Sequence, residues 1–175
     1  GSWVTPGLID GHSHLVGDLE FAGVPGISTS AAEDALVGVR NARDTLTAGF
    51  TTVRDVGSYR AFVDVALQHA IDSGWTPGPR MQSAGAMITC PHGGGDVTGL
   101  ARDVTVPPDL RFGVVRTPGE MRERIRALIG GGAGVIKLIV TGAVLTRGTK
   151  TGFVELDAPM VEAAVDEAWR QGVHV

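Results

Sequence analysis

His12-Ser13-His14 places two imidazoles two residues apart. On a β-strand, alternate side chains point to the same face, so a strand-borne pair at this spacing could hold one cation between its rings. Neutral imidazole nitrogens suit zinc and similar divalent metals. The same pair could also stand as plain exposed residues at a strand end, and spacing alone does not choose. Lys137 is the second candidate, as the one polar residue in the apolar run Val135-Ile136-Lys137-Leu138-Ile139-Val140. An ammonium inside such a strand is costly unless it is paired or gives up its proton. The free amine of a buried lysine can add carbon dioxide to become a carbamate, an anion able to bridge two cations. A snorkelling or salt-bridged lysine is the structural alternative. His92 sits in Cys90-Pro91-His92-Gly93-Gly94-Gly95, where glycine lets backbone approach a ligand, although a loop histidine without function fits as well.

The segments that must position these residues read as alternating strands and helices. Leu8 to Val16 is a short strand entered through Pro6-Gly7, and a loop rich in Gly and Pro follows to Ser28. Ser30-Ala31-Ala32-Glu33 is a capping box, opening a helix with the stripe Ala35, Leu36, Val39, Ala42 and Leu46 that stops at Gly49. Phe50 to Val53 has the β-branched and aromatic content of a second strand. Ser58 is expected to cap a second helix whose apolar face is Phe62, Val65, Ala66 and Ile71, and a third strand is predicted over Arg80 to Ala84. Gly85 to Arg116 has no clear period, and loops of that length inside compact domains are often functional. Thr117-Pro118-Gly119-Glu120 starts a third helix with Met121, Ile125, Leu128 and Ile129 buried. Val135 to Val140 then reads as a strand buried on both faces of a parallel sheet. A fourth helix runs from about Ala158 to Gln171, and Val173-His174-Val175 opens a fifth strand.

Strand-helix units in regular succession argue for an α/β fold with a parallel sheet, as an open sheet or a barrel. A complete barrel takes eight units and ~250 residues. Residues 1–175 are therefore expected to form one partial domain, roughly the first half of a (β/α)8 barrel of TIM-barrel type: strands one to four with their helices and the start of strand five. A native polypeptide longer at its C-terminus is the corollary. The 43% hydrophobic content, 19% charged content and formal charge of −4 are those of a soluble globular protein. They lack the basic excess that nucleic-acid or anionic-membrane partners require, and no apolar run approaches the ~20 residues of a membrane span. The lone Cys90 cannot form an internal disulfide and no secretory signal is visible, which points to the cytoplasm.

Other residues reduce to structure. Asp10 shares the His12 face and could support a ligand or simply bind strand-end backbone. Asp55 and Arg54 are read as bracing the strand ends, His69 as a surface residue, and Cys90 as lacking any base to make it a nucleophile. His174 is left out of the site. Gly130 to Gly134 follow a helix and precede a strand, the reverse of a phosphate-cradling turn, so helix termination accounts for them.

Thr5-Pro6-Gly7-Leu8-Ile9-Asp10-Gly11-His12-Ser13-His14 closely resembles the opening signature of the amidohydrolase superfamily, whose first barrel strand ends in His-x-His. Gly49 to Gly57 resembles that family's second-strand segment, and Gly132 to Lys137 its fourth. The nearest look is to the imidazolonepropionase-like and metal-dependent carboxypeptidase or prolidase-like branch. The resemblance implies hydrolysis of an amide or related carbon-nitrogen bond by metal-activated water. His12 and His14 would hold one metal, and Lys137, carboxylated by carbon dioxide, would bridge it to a second, zinc being the expected ion. His92 would contact a small amide or peptide substrate: a dipeptide, an N-acyl amino acid or a cyclic amide. The family's remaining histidines, from strands five and six, and its general-base aspartate from strand eight are expected beyond residue 175, as are the rest of the barrel and the flanking β-sandwich. This chain alone is then expected to be inactive, and homo-oligomerisation of the complete protein stays open. Two readings compete: a non-catalytic fragment or pseudoenzyme acting in binding or assembly, and a mononuclear deaminase-type relative using His12 and His14 without a carboxylated lysine.

Overall fold

Parallel pairing in chain order organises the molecule, whose computed structural model describes residues 2–17, 27–144 and 146–175. Strand β1 (Leu8–Ser13) is followed by α1 (Ala31–Thr47), β2 (Phe50–Asp55), α2 (Val63–Asp72), β3 (Arg80–Ser83) and β4 (Met87–Ile88). A 3₁₀ turn (Pro108–Arg111), α3 (Pro118–Gly130), β5 (Lys137–Leu138) and α4 (Ala158–Arg170) complete the order. β1 pairs with β2 and β2 with β3, both in parallel. β4 pairs in parallel with β5, setting Met87 opposite Lys137. The segment entering β5 also reaches the first sheet, Gly134 N–H donating to Ser83 O (2.8 Å), while Ile139 N–H to Ile88 O (2.8 Å) extends the β4–β5 pairing. A parallel bridge between Val135 and His174 carries the order to the last residues. This is the predicted α/β architecture with parallel strands. Much of the loop expected after β1 lies outside the described residues.

Helices α1 and α3 start at their expected caps, Ser30 and Thr117, and α4 starts after Asp157. Glu33 N–H donates to Ser30 Oγ (3.2 Å) while Ser30 N–H donates to Glu33 Oε2 (2.8 Å), a complete capping box. Glu120 N–H donates to Thr117 Oγ1 (3.1 Å) and Met160 N–H to Asp157 Oδ1 (3.1 Å). In α3, Met121, Ile125 and Leu128 are fully buried against Met160, Ala163, Ala164 and Ala168 of α4 and against Ile88 and Ile136 of the strands. A second cluster joins Ala42 of α1 and Val63 and Leu67 of α2 to Leu15, Val53 and Met81.

Three expectations need correction. In α1 the buried residues are Asp34, Gly38 and Ala42, whereas Leu36 is 70% exposed. A Cβ at Gly38 would lie 3.0 Å from both Leu67 and Val16, so close approach at this small residue sets the helix rotation and turns Leu36 outward. Ser58 caps nothing: its hydroxyl donates to Arg60 O, and α2 begins instead after Phe62, whose φ is 67°. Tertiary contacts fix that entry, since Phe62 N–H donates to Gly85 O (2.7 Å) and its ring meets Phe112 edge-on at 5.1 Å. Accordingly Val63, Asp64 and Leu67 are buried and Ala66 is exposed. Finally, the Val135–Val140 run is not covered on both faces: Ile136 is in the core, Lys137 is half-buried and Val140 is 41% exposed.

The strand face turned away from the helices is polar. Arg80 Nη2 donates to Thr52 Oγ1 (3.0 Å), Arg54 Nε to Gln82 Oε1 (2.9 Å), and Gln82 Nε2 to Gly134 O (3.1 Å). Among the described residues no helix is long and apolar enough to cross a membrane.

The corrected helix rotation makes a sharp contrast. Ile125→Ala is expected to cost about 2–5 kcal/mol of unfolding free energy, as buried large-to-small changes do. Leu36→Ala should stay within about 0.5 kcal/mol. Urea denaturation of the two variants reads both, and equal losses would return Leu36 to the core.

Candidate metal centre

The end of β1 is irregular, and that irregularity aims its histidines. Between the paired positions Asp10–Val53 and Ser13–Asp55, β1 has Gly11 and His12 where β2 has only Arg54. Such an extra residue bends a strand and re-aims its side chains. Asp10 settles as a backbone acceptor, its carboxylate taking His12 N–H at 2.9 Å. Beyond the bulge the His12 and His14 rings meet edge-on with centroids 5.6 Å apart. His14 Nδ1 lies 2.7 Å from Gly57 O. A carbonyl only accepts, so Nδ1 carries the proton and the Nε2 lone pair is left for a ligand.

Lys137 shares this corner of the molecule. Burial pulls the His12 pKa below its ordinary value, and the charges of Lys137 and His14 push it the same way against Asp10. Burial alone lowers the Lys137 pKa. Both shifts favour the neutral forms, which are the forms that bind metal or react with carbon dioxide. The donor chemistry therefore fits a divalent cation, with two imidazoles and one amine. Among the described residues no group of three or more His, Cys, Asp or Glu side chains is gathered for metal binding.

A buried carboxylate underlies His14. Asp55 is fully buried, accepting Leu15 N–H at Oδ2 (2.8 Å) and Gly57 N–H at Oδ1 (3.1 Å). Burial raises its pKa to about 6, while those two N–H donors pull it down. Asp64, fully buried below it, accepts Gly85 N–H (2.8 Å) and Val65 N–H (2.9 Å); burial and the neighbouring Asp55 charge raise it to about 6 as well. Asp55 is expected from sequence only to brace the strand ends, and no residue type there marks the Gly57 carbonyl. The available signal was parity, since Asp55 alternates in step with buried Val53.

His92 is not brought into this group. Its side chain is exposed, its φ is 62°, and its N–H donates to Asp96 Oδ2 (2.8 Å). The loop around it is built rigidly: Asp96, fully buried at its side chain, takes a forked pair of bonds from Arg111 (2.9 and 2.7 Å). Gly94 N–H donates to Glu155 Oε2 (2.7 Å), and Thr146 Oγ1 donates to Gly94 O (2.6 Å). A Cβ at Gly94 would come within 2.9 Å of Ile139, so only glycine lets the loop lie on that strand. Burial, then Glu155 and Asp96, push the Cys90 thiol upward, against a nucleophilic thiolate. His69 is exposed beside Trp75, as expected of a surface residue. His174 contributes its backbone carbonyl to Ile136 N–H (2.9 Å).

Comparison with known proteins decides the family, for residues 3–175 match the Amidohydrolase family. The chain belongs to that family. Ochratoxinase from Aspergillus niger is 29% identical over 183 residues, covering 95% of this chain and 37% of that protein. A solved Xaa-Pro dipeptidase with methionine bound in its active site aligns with a TM-score of 0.87 and 33% identity, over 96% of this chain and 41% of that one. A prolidase complexed with N-methylphosphonate-L-proline aligns at 0.80 and 26%, again over 96% and 41%. The amidohydrolase chain thus spans about two fifths of the length of these relatives. The His-x-His opening, the second-strand segment and the Lys137 segment all fall inside the matched region.

The buried carboxylates set a pH signature. Their pKa is raised on folding, so the native state binds more protons than the unfolded chain between about pH 4 and pH 6. Stability is therefore greatest at the acid side of that window and falls as pH rises through it, levelling off above about 6. Asp64→Asn should flatten this slope in denaturation curves taken from pH 4 to 7. An unchanged slope would mean the carboxylates are ionised in the folded protein throughout.

Proposed function

We propose that the parent protein is a metal-dependent hydrolase of amide or related carbon-nitrogen bonds, with this chain as the first part of its (β/α)8 barrel. The observation that carries the reading is His14, held by Gly57 O through Nδ1 with its Nε2 lone pair left for a ligand and its ring edge-on to that of His12, which feels the Lys137 charge, in an amidohydrolase chain. His12 and His14 would hold one divalent cation, zinc being the expected ion. Lys137, as a carbamate formed when its free amine takes up carbon dioxide and releases a proton, would supply the negative charge between that ion and a second. Such an ion supplies Lewis acidity, making a water acidic near neutral pH and polarising a scissile carbonyl.

Two relatives, a Xaa-Pro dipeptidase and a prolidase holding a proline derivative, support a proposed substrate class. Dipeptides and N-acyl amino acids with a free carboxylate are the proposed substrates, ahead of cyclic amides. His92 is the proposed substrate contact, since its imidazole is exposed on a loop whose backbone is locked from beneath by Asp96 and Glu155.

Metal analysis of the full-length protein purified with bicarbonate, beside its Lys137→Ala variant, tests the centre. About two metals per chain, dropping in the variant, is the outcome expected for a bridged pair. One metal unaffected by the substitution would favour the mononuclear reading, and none would favour a binding role. For His92→Ala, kcat/KM on a dipeptide should fall by roughly tenfold or more, the worth of one hydrogen bond to a charged group, with metal content unchanged. Unaltered turnover removes His92 from the site.

A further inference from the structure

The segment that carries His14 is held by a group lying on the other side of the backbone. The β1–β2 ladder ends at Ser13 and Asp55, one residue short of His14. Past that point Val56 N–H still reaches Ser13 O (3.0 Å), but Leu15 N–H and Gly57 N–H have left the ladder. Leu15 follows His14 directly, and Gly57 owns the carbonyl that takes the His14 ring proton. Both of these N–H groups end on the two oxygens of one carboxylate, that of Asp55, at 2.8 and 3.1 Å.

We propose that Asp55 is a positioning residue for His14: by gripping Leu15 and Gly57 together, it fixes the Gly57 carbonyl against His14 Nδ1 and so sets which ring nitrogen faces the metal. The chain is closed and short. It runs from the carboxylate to Gly57 N–H, across the Gly57 residue to its carbonyl, then to the imidazole, and back to the carboxylate through Leu15. Gly57 has a φ of 94°, and a Cβ there would sit 3.0 Å from backbone atoms of Ala86 and Met87, so the residue cannot shift toward β4 to keep the bond by other means. The role rests on the metal-centre reading above, because it matters to function only if His14 is a ligand.

Asp64 is the internal control. It is as deeply buried, but it holds Gly85 and Val65, neither of which touches His14. The full-length protein should be prepared metal-free as wild type, Asp55→Asn and Asp64→Asn. Zinc affinity is then measured by competition with a chromophoric chelator, and the His14 tautomer by nitrogen-proton NMR of histidine-labelled protein. Asparagine keeps one acceptor oxygen but turns an N–H₂ toward the other backbone donor, so one of the two bonds is lost. Asp55→Asn is expected to weaken zinc binding by roughly 10- to 100-fold, the usual cost of losing a group that orients a ligand, and to turn a single Nδ1–H tautomer at His14 into a mixture. Asp64→Asn should alter thermal stability while leaving both readouts in place. If Asp55→Asn does not fold, Asp55→Ser, which retains one acceptor, carries the same expectation. Wild-type affinity and a single tautomer in the Asp55 variant would overturn the proposal. Absence of zinc binding by the wild type would instead overturn the metal reading, and the tautomer would still judge the Asp55 grip.

Discussion

The paired hydrogen bonds from Leu15 and Gly57 to the Asp55 carboxylate act where the β-ladder has run out. Backbone donors that leave a sheet into a buried region must find acceptors or forfeit the free energy of desolvating them. Here one carboxylate serves both, and in doing so ties the end of the first strand to the end of the second. The arrangement is not a stability optimum. A carboxylate this deeply buried has its pKa raised to about 6, and Asp64 beneath it adds a second acid in the same state. Two buried acids that disfavour ionisation work against folding at neutral pH, a pattern found where geometry at a site is kept at some cost to stability.

The same solution recurs in the irregular loops. Asp96 is buried and neutralised by the fork of Arg111, and from that anchored position it receives the backbone of His92. Glu155 reaches across to Gly94, and Arg60 joins Asp109 to the carbonyl of Thr29. Each contact substitutes a side-chain acceptor or donor for a missing ladder bond. In α3 and α4, by contrast, the Arg126–Glu167 fork (2.7 and 2.9 Å) only joins two elements that already pack through Met121, Ile125 and Met160. Ion pairs beside the loops therefore shape backbone, and those between α3 and α4, Arg126–Glu167 and Arg122–Asp166, add to packing that exists without them.

This division explains what could be read from residues alone. Ser30 with Glu33 and Thr117 with Glu120 were legible because a cap is a local contact, complete within four positions of the chain. The α3 face was legible for the same reason. Ser58 failed as a cap because Phe62 is set by Gly85 and Phe112, residues distant in sequence, and Leu36 failed as core because the packing of Gly38 against Leu67 rotates α1. At the site, the two-residue spacing singled out His12 and His14, although a bulge rather than regular alternation aims them, and Lys137 stood out as a charge in an apolar run. The Gly57 carbonyl could not be anticipated, since no residue type marks a carbonyl and its aim depends on how β2 leaves the sheet.

At Lys137 the structure changes the physical reason for interest in the residue. A strand buried on both faces, as its apolar run predicts, would make a charged lysine prohibitive. In the structure, parity relieves that cost: Ile136 and Leu138 join the core packed against the helices, while Lys137 is only half-buried. Desolvation still lowers its pKa, but what gives the residue meaning is its neighbour, because its charge is felt at His12. The strands thus divide their labour by alternation, one parity making the core with α1 to α4 and the other presenting polar groups. Only at the bulge after Asp10, where alternation is broken, does the chain bring the two imidazoles onto the ground that Lys137 already occupies.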